Sequence, residues 1–207
     1  MRLLVLFFVL VVGSSALAQT ITDRDINRMR VQHEQNRTYQ KSAKSKRLPE
    51  KFLEMEYEKP VLKDWLLPYQ DWEQDYRSYF KKYYGDTRLD LRPSMIVMHY
   101  TVTPDTESTY RALSRNQVSV HFMIGHDGTV YRLLPLERRC TGAYGVNHVA
   151  FSIEMVAVTE SDLLSRSKQV FSSFCLVKWL MDEYNIPASQ VVAHYEVSQG
   201  RKRVPEY

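Results

Sequence analysis

Cysteine and glycine are both scarce in this chain of 207 residues. The only two cysteines are Cys140 and Cys175, too few for the disulfide framework that stabilises small secreted scaffolds. They could pair in an oxidising compartment, but Cys175 falls on the apolar face of a predicted helix, which favours a buried free thiol. The seven glycines form neither a Rossmann nor a P-loop motif, so no phosphate-binding glycine loop is predicted.

Long apolar runs are also rare, and the one clear example lies at the start of the chain. Residues 3–12 are ten consecutive apolar residues, whereas a membrane span takes roughly 20. Arg2 precedes this run and an Ala-Leu-Ala sequence ending at Ala18 follows it, which is typical of a secretory signal peptide. We therefore predict a signal peptide over residues 1–18 and a secreted or periplasmic protein without stable membrane insertion. A membrane anchor is the alternative.

The chain has no excess of acidic residues. Its 28 Lys and Arg exceed its 24 Asp and Glu, which gives a formal charge of +4 and a pI near 9.0. A mildly basic protein favours anionic surfaces such as a cell wall. No basic-aromatic binding motif stands out, so we predict no nucleic-acid partner, and we expect a monomer.

Composition changes twice before the regular part of the chain begins. Residues 19–50 are polar and basic with little apolar periodicity, which predicts a tether. Residues 51–92 are rich in aromatics and predict a helical extension. One helix face carries Trp72, Tyr76, Tyr79, Phe80 and Tyr83 at steps of three and four residues. This face either packs on the following domain or offers a surface on which glycans stack.

The remaining residues, 93–207, predict one domain in which strands and helices alternate. Strands are expected in "SMIVMHYTVT", "VAFSIEMVAV" and "QVVAH", and a hairpin in "SVHFMIGHDGTVYRLLP" with its turn at Asp127-Gly128. "TPDTESTYRALSRNQ" predicts a capped helix. The fold class is therefore α/β, with a mixed central β-sheet flanked by helices and an N-terminal polar and aromatic-helical extension.

A single long amphipathic helix is predicted over "SDLLSRSKQVFSSFCLVKWLMDEYNIP". Ser161 is its expected N-cap, and Pro187 lies past its end. Its core face is predicted to carry Leu163, Val170, Phe171, Phe174, Val177 and Met181.

Two histidines follow apolar strands in matching contexts. His99 ends "MIVMH" and His194 ends "QVVAH". Two buried strands can aim two imidazoles at one point, and a catalytic zinc site typically uses three protein ligands and leaves one position open. A single histidine at a strand end is more often structural or exposed, so the residues alone leave both interpretations open.

Four segments in order carry a more specific signal: "IVMHYTVT", "VSVHFMIGHDGTVYRLLP", "GVNHVAFSIEMV" and "AHYEVSQGRK". Together they resemble the type-2 family of zinc-dependent N-acetylmuramoyl-L-alanine amidases. Phage lysozyme-type amidases and peptidoglycan recognition proteins share that fold. The resemblance covers about residues 93–207. It implies peptidoglycan or muropeptides as substrate, zinc as cofactor, and hydrolysis of the amide between N-acetylmuramic acid and L-alanine.

The resemblance also implies roles for individual residues. His99 and His194 match the family's two zinc-binding histidines. Glu154 in "SIEMV" matches the acidic residue that takes a proton from the attacking water, and Lys202 matches the cation that stabilises the oxyanion. Without the resemblance, Glu154 could equally be a buried salt-bridge partner and Lys202 a solvated surface charge.

The third zinc ligand is not evident. The family's Asp falls where Val204 stands, followed by Pro205, and a valine cannot bind a metal. A second alignment puts the ligand beyond Tyr207, in which case the domain is incomplete at its C-terminus. Glu206 or Glu196 could substitute, although Glu196 is better explained as a capping residue. The alternative function is therefore a catalytically impaired peptidoglycan-binding module or a truncated amidase.

Three further residues match family positions without being assigned to the chemistry. His121 is expected to support the structure, and Asn147 to brace the loop before the "FSIEM" strand. Cys140 stands where many relatives have a pocket histidine, and could contact substrate or act as a soft ligand.

Overall fold

The structure is a computed structural model that describes residues 54–197. The predicted signal peptide over residues 1–18, the tether over 19–50, and Lys202, Val204 and Glu206 all lie outside the described residues. Within 54–197 no helix combines the length and apolar character that crossing a membrane requires.

A six-stranded mixed sheet forms the centre of the described residues, in the spatial order β1-β4-β3-β5-β2-β6. The strands are β1 (Leu62–Asp64), β2 (Met95–Tyr100), β3 (Phe122–Ile124), β4 (Val130–Arg132), β5 (Ala150–Met155) and β6 (Val191–Ala193). β3 and β4 form the antiparallel pair, and all other neighbours run parallel. The predicted fold class, a mixed sheet with flanking helices, is confirmed.

Helices lie on both faces of this sheet. They are α1 (Tyr69–Tyr84), α2 (Thr106–Arg115), α3 (Glu160–Leu164), α4 (Ser167–Tyr184) and the single turn α5 (His194–Val197). The predicted cap of α2 is present, since the Asp105 side chain accepts a hydrogen bond from the Ser108 amide at 2.6 Å.

The β3–β4 hairpin turns where Asp-Gly predicted it. The Asp127 carboxylate accepts a hydrogen bond from the Thr129 amide at 2.9 Å, and Gly128 has a φ of +88°. A Cβ atom at Gly128 would lie 2.7 Å from Ser172 Oγ of α4. Glycine is therefore needed here both for its backbone conformation and for the close approach of the turn to the helix.

The larger hydrophobic core lies between α4 and one face of the sheet. It joins Phe151 and Ile153 of β5 to Leu176 and Leu180 of α4, all of them fully buried. Burial of such side chains contributes about 1.5–3 kcal/mol each, so this layer supplies much of the folding free energy.

The opposite face is covered by the aromatic helix α1. Its buried residues Tyr69, Trp72, Tyr76 and Phe80 pack in one cluster with residues such as Met123, Leu133 and Leu134. Packing on the following domain, one of the two alternatives for this face, is therefore found for these aromatics. β1 also pairs with β4, so the described part of the predicted extension packs against the same sheet.

The single long helix predicted after β5 is wrong, because the chain breaks into α3 and α4. Thr159, not Ser161, caps α3, since its hydroxyl accepts a hydrogen bond from the Asp162 amide at 3.1 Å. At the break, Ser165 Oγ donates to the Asp162 carbonyl at 2.7 Å, and Arg166 Nε donates to the Asp162 carboxylate at 3.0 Å. These local polar contacts compete with helix continuation.

The predicted core face of that helix is also wrong in part. Leu163, Val177 and Met181 are buried, but Phe171 is 59 % exposed. Gln169 lies on the buried face instead, and its amide donates to the carbonyls of Ile124 and Val156, both at 2.8 Å. A polar side chain that satisfies its donors on strand ends can occupy a core position that apolar periodicity assigns elsewhere.

Candidate functional site

Three neighbouring parallel strands, β5, β2 and β6, place their carboxyl ends at one edge of the sheet. His99 pairs in register with Glu154. Met98 pairs with Ala193, so His194 follows directly beside His99. Paired positions on adjacent strands point to the same face. Glu154 and His99 therefore point to the same face, and the ring of His194, the first residue after β6, completes a row with them at this edge.

The two imidazoles that the sequence placed at strand ends come together in the structure. The ring centroids of His99 and His194 are 4.5 Å apart, with an angle of 51° between the planes. His99 is 2 % exposed, and His194 is partly buried. Burial, and secondarily the neighbouring His194, hold the pKa of His99 well below its ordinary value. His99 is therefore a neutral imidazole at neutral pH, the form in which histidine binds metals.

Glu154 lies beside His99 without forming a hydrogen-bonded ion pair with it. Its Oε1 is 3.8 Å from His99 Nδ1, beyond hydrogen-bonding distance, and its Oε2 has no hydrogen-bond partner among the described residues. Burial raises the pKa of Glu154 to about 8. Both groups are therefore predominantly uncharged at neutral pH in the metal-free protein, and desolvation outweighs any mutual attraction. A carboxyl held in this way is suited to accepting and returning a proton near neutral pH.

The two imidazoles fit a metal such as zinc. His99 Nδ1 is buried and finds no hydrogen-bond partner in the described part of the chain, and a neutral nitrogen lone pair is a donor that zinc prefers. Within residues 54–197, however, no group of three or more His, Cys, Asp or Glu side chains is arranged to hold a metal ion. The described residues therefore supply two donors of a zinc site and no third.

His121 supports the structure, as predicted. Its Nδ1 accepts a hydrogen bond from the Ser152 amide at 3.2 Å, so its Nε2 carries the proton and donates to the Arg138 carbonyl at 2.8 Å. The ring is fully buried, and burial lowers its pKa to about 4.

Asn147 and Glu196 also hold the backbone, as predicted. Asn147 Oδ1 accepts from the Ala143 amide at 2.6 Å, and its Nδ2 donates to Tyr79 Oη at 3.0 Å. Glu196 Oε2 accepts from the Ala193 amide at 2.7 Å, which caps the start of α5 next to His194.

Both cysteines are buried free thiols. The thiol of Cys140 donates to the Ala150 carbonyl at 3.7 Å, and burial raises its pKa to about 12. This is the behaviour of a structural cysteine, because a metal-binding or reactive cysteine needs an accessible thiolate.

One polar contact at the site has no counterpart in the sequence predictions. Ser152 Oγ lies 2.7 Å from His99 Nε2, and both side chains are buried. The sequence did contain a signal for this contact. Ser152 is two positions before Glu154 in the same strand, so the two side chains face the same side of the sheet.

The fold and the row of His99, His194 and Glu154 define a hydrolase-like site at the edge of an α/β sheet. The family model described as N-acetylmuramoyl-L-alanine amidase (Amidase_2) matches residues 89–207. The chain belongs to this family, and it is therefore an amidase that acts on the peptidoglycan of the cell wall.

Several solved structures are similar to this chain. The endolysin N-acetylmuramoyl-L-alanine amidase LysCS from Clostridium intestinale URNW is 30% identical, over 54% of this chain and 76% of that one, with a TM-score of 0.45. The structure of a mutant of PlyL is 21% identical, over 67% of this chain and 84% of that one, with a TM-score of 0.51, and supports the fold.

A peptidoglycan recognition protein is also similar. Drosophila PGRP-SA is 18% identical, over 65% of this chain and 80% of that one, with a TM-score of 0.45. A comparison with curated protein sequences found no match.

Proposed function

We propose that this amidase is zinc-dependent and cleaves the amide that joins the lactyl group of N-acetylmuramic acid to the L-alanine of the stem peptide. The observation that carries the proposal is the row of two imidazoles and one buried carboxyl at the sheet edge, with the His99 and His194 rings 4.5 Å apart. Hydrolysis of an unactivated amide needs a Lewis acid that polarises the carbonyl and a base that accepts a proton from water. The two histidines are candidates to hold the Lewis acid, and Glu154 is the candidate base.

His99 and His194 would hold the zinc ion. When bound, zinc supplies Lewis acidity, which polarises a carbonyl and lowers the pKa of water to about 7. His99 is fixed by its strand, and His194 by the junction of β6 with α5. Glu196 keeps that junction in shape through its bond to the Ala193 amide.

Glu154 would accept the proton of the attacking water and return it to the leaving amine. Its Oε2, which has no hydrogen-bond partner among residues 54–197, is the atom available for this transfer. Positioned acid-base groups of this kind contribute about 100- to 10,000-fold to a rate. Lys202, which lies outside the described residues, would stabilise the developing oxyanion.

The test of this proposal measures zinc and product together. Purified protein is expected to bind one zinc ion per chain and to release stem peptide from a muramyl-L-alanyl peptide. His99→Ala and His194→Ala should lose both properties, whereas His126→Ala, at the β3–β4 turn, should keep both. Retention of zinc and activity in the two ligand variants would overturn the assignment.

The third donor is tested through Val204→Asp. If the family's carboxylate position is at residue 204, the substitution adds a zinc ligand. Zinc affinity and turnover should then both rise at least about tenfold, because even the loss of a residue that hydrogen-bonds to a metal ligand costs about that much. Val204→Asn is the matched control, because it has a similar shape but a much weaker metal donor. Equal zinc affinity in the two variants would place the third ligand elsewhere.

The rival proposal is a catalytically impaired peptidoglycan-binding module of the same family. Val204, at the position of a carboxylate ligand, is the observation that favours it. Such a protein would bind a muramyl peptide in calorimetry, with no release of stem peptide even when zinc is supplied. Product formation above that of the Glu154→Gln variant would exclude it.

We also propose that the protein is secreted or periplasmic and acts as a monomer, with its basic tether near the anionic wall. Residues 1–18 carry the signal-peptide pattern. The mass of the exported protein should correspond to a chain that begins at Gln19, and an unprocessed mass in the membrane fraction would favour an anchor instead.

A further inference from the structure

The two ring nitrogens of His99 have different neighbours: Nδ1 lies near Glu154, and Nε2 contacts a buried hydroxyl group. Ser152 Oγ lies 2.7 Å from His99 Nε2, and the two residues are 0 % and 2 % exposed. We propose that Ser152 is a positioning residue, which accepts a hydrogen bond from His99 Nε2–H and thereby keeps the Nδ1 lone pair directed at the metal position. This inference rests on the proposed function, because it gives His99 the role of a zinc ligand.

The hydrogen bonds of His99 assign its tautomer. A neutral imidazole carries one N–H, at Nδ1 or at Nε2. A proton at Nδ1 would be a buried donor without an acceptor in the described part of the chain, since Glu154 Oε1 is 3.8 Å away. An unsatisfied buried donor of this kind is costly. A proton at Nε2 instead meets Ser152 Oγ at 2.7 Å, which leaves Nδ1 as a bare lone pair next to His194.

The hydroxyl proton of Ser152 needs an acceptor other than His99, and the neighbouring Cys140 is the candidate. The side chains of Ser152 and Cys140 interact, and the thiol of Cys140 stays protonated and donates to the Ala150 carbonyl. The Cys140 sulfur can therefore accept the Ser152 proton. A Ser152 hydroxyl proton directed at this sulfur would leave an oxygen lone pair of Ser152 for His99 Nε2–H.

Packing fixes Ser152 from its other side. It stands on β5 opposite Val97 of β2, and the loop at Gly142 lies directly against it. A Cβ atom at Gly142 would lie 3.0 Å from Ser152 Oγ and 2.6 Å from Val120 Cγ1. The loop can approach this closely because residue 142 has no side chain. The Ser152 hydroxyl therefore has little room to leave the His99 ring.

Outer contacts of this type set ligand orientation in metal sites, and their loss typically costs about 10- to 100-fold in metal affinity. Ser152→Ala is accordingly expected to weaken zinc binding about 10- to 100-fold, measured by competition with a chromophoric indicator. Ser152→Thr, which keeps the Oγ atom, should recover most of the affinity. Ser173→Ala is the matched control, because it removes a buried hydroxyl of α4 that donates to the Val170 carbonyl, away from the site.

The decisive readout is the tautomer of His99 in the metal-free full-length protein, since it requires neither zinc nor activity. Nitrogen-15 NMR of the imidazoles, with the His99 signal assigned by its absence in His99→Gln, should show protonated Nε2 and unprotonated Nδ1. In Ser152→Ala the signal should move toward the mixed-tautomer average, and in Ser173→Ala it should stay. A wild-type signal from protonated Nδ1, or an unchanged signal in Ser152→Ala, overturns the inference.

This design separates the inference from the proposed function. A protein that binds no zinc but shows the Ser152-dependent tautomer refutes the zinc proposal and leaves the role of Ser152 toward His99 standing. Equal zinc affinity in the wild type and in Ser152→Ala refutes the positioning role alone. If Ser152→Ala does not fold, the wild-type tautomer still decides whether Ser152 accepts from His99.

Discussion

At the scale of single residues, burial controls the chemistry of Glu154. Among the described residues its Oε2 has no hydrogen-bond partner, and desolvation raises its pKa to about 8. This isolation suits the proposed proton-transfer role of Glu154, because such a group must change its protonation state during each turnover. The same isolation makes Glu154 dispensable for folding.

Glu154→Gln should therefore remove activity without loss of stability. We expect kcat to fall about 100- to 10,000-fold, with the thermal midpoint and the zinc content unchanged, because the amide keeps the shape of the carboxyl but cannot take up a proton. Glu183→Gln, at an exposed position of α4, is the control and should behave as wild type. A variant that retains more than a tenth of the wild-type kcat would assign the proton transfer to another group.

Burial of His121 makes the stability of the metal-free protein sensitive to acid. Its pKa is lowered from 6.5 to about 4 by burial, so protonation favours the unfolded chain. The stability linked to His121 is intact above about pH 6.5 and is lost progressively as the pH falls toward 4, by roughly 3 kcal/mol in total.

Urea unfolding of wild type and His121→Gln at several pH values isolates this contribution. The variant is expected to be less stable at pH 7, but the difference between the two proteins should shrink by up to roughly 3 kcal/mol between pH 6.5 and 4. The other titrating groups cancel in the difference. A constant difference across this range would contradict the buried neutral state of His121.

The positions of the candidate site residues were predictable from the sequence to the extent that they follow from strand ends and from the family resemblance. His99 and His194 fall at the ends of apolar runs, where a parallel sheet brings side chains together, and Glu154 was assigned through the resemblance. The partner of His99 was not predictable, because a serine within a buried strand is most simply interpreted as a tolerated small residue. The contact depends on which strand neighbours β2, and a pairing between distant segments is not encoded in local periodicity.

At the scale of elements, α1 does more than cover the sheet. Tyr84 Oη accepts a hydrogen bond from the Gly145 amide at 2.9 Å, and Tyr79 Oη accepts from Asn147. The helix therefore braces the loop that carries Gly142 and leads into β5. Its aromatic residues combine apolar burial with hydroxyl groups that satisfy loop polar groups.

A pair of phenylalanine substitutions tests which helix faces are buried. Phe80 of α1 is fully buried, so Phe80→Ala should cost about 3–5 kcal/mol of unfolding free energy. Phe171 of α4 is 59 % exposed, so Phe171→Ala should change it by only about 0.5 kcal/mol. Both losses are measured by urea denaturation. Comparable losses in the two variants would mean that Phe171 is buried, as the periodicity of the sequence predicted.

Elements with strong periodicity and clear caps were predicted well, and short or interrupted ones were not. The sequence indicated α1, α2, the hairpin and strands β2, β5 and β6 because each carries its own apolar pattern or turn residue. The break between α3 and α4 was missed because it arises from the Asp162 contacts of Ser165 and Arg166, which compete locally with a continuous helical pattern. β1 is only three residues long, and its pairing with β4 decides its conformation.

At the scale of the whole molecule, the stretch before residue 89 is part of the folded unit. The family model begins at residue 89, yet β1 and the buried face of α1 precede that point. Removing them would uncover Met123, Leu133 and Leu134, which are fully buried in the intact chain. Exposed apolar surface of this extent favours loose packing and aggregation.

Two fragments make this measurable. A protein of residues 89–207 should unfold without a cooperative thermal transition and should bind a hydrophobic dye, whereas residues 54–207 should unfold cooperatively like the full chain. Both fragments share the same C-terminus, so only the presence of β1 and α1 differs. A cooperative transition with an unchanged midpoint in the shorter fragment would mean that β1 and α1 contribute nothing to the stability of the domain.

Within the row, Glu154 and His99 stand on the paired strands β5 and β2, and His194 directly follows β6, which pairs with β2. Small metallo-domains that collapse when a chelator strips them differ in this respect, since their ligands have no other scaffold. Here the sheet supplies such a scaffold for the two proposed histidine ligands, so we expect His99 and His194 to keep their positions when a chelator removes the zinc. Zinc supply would then switch the proposed activity on and off without unfolding the sheet that carries the two histidines.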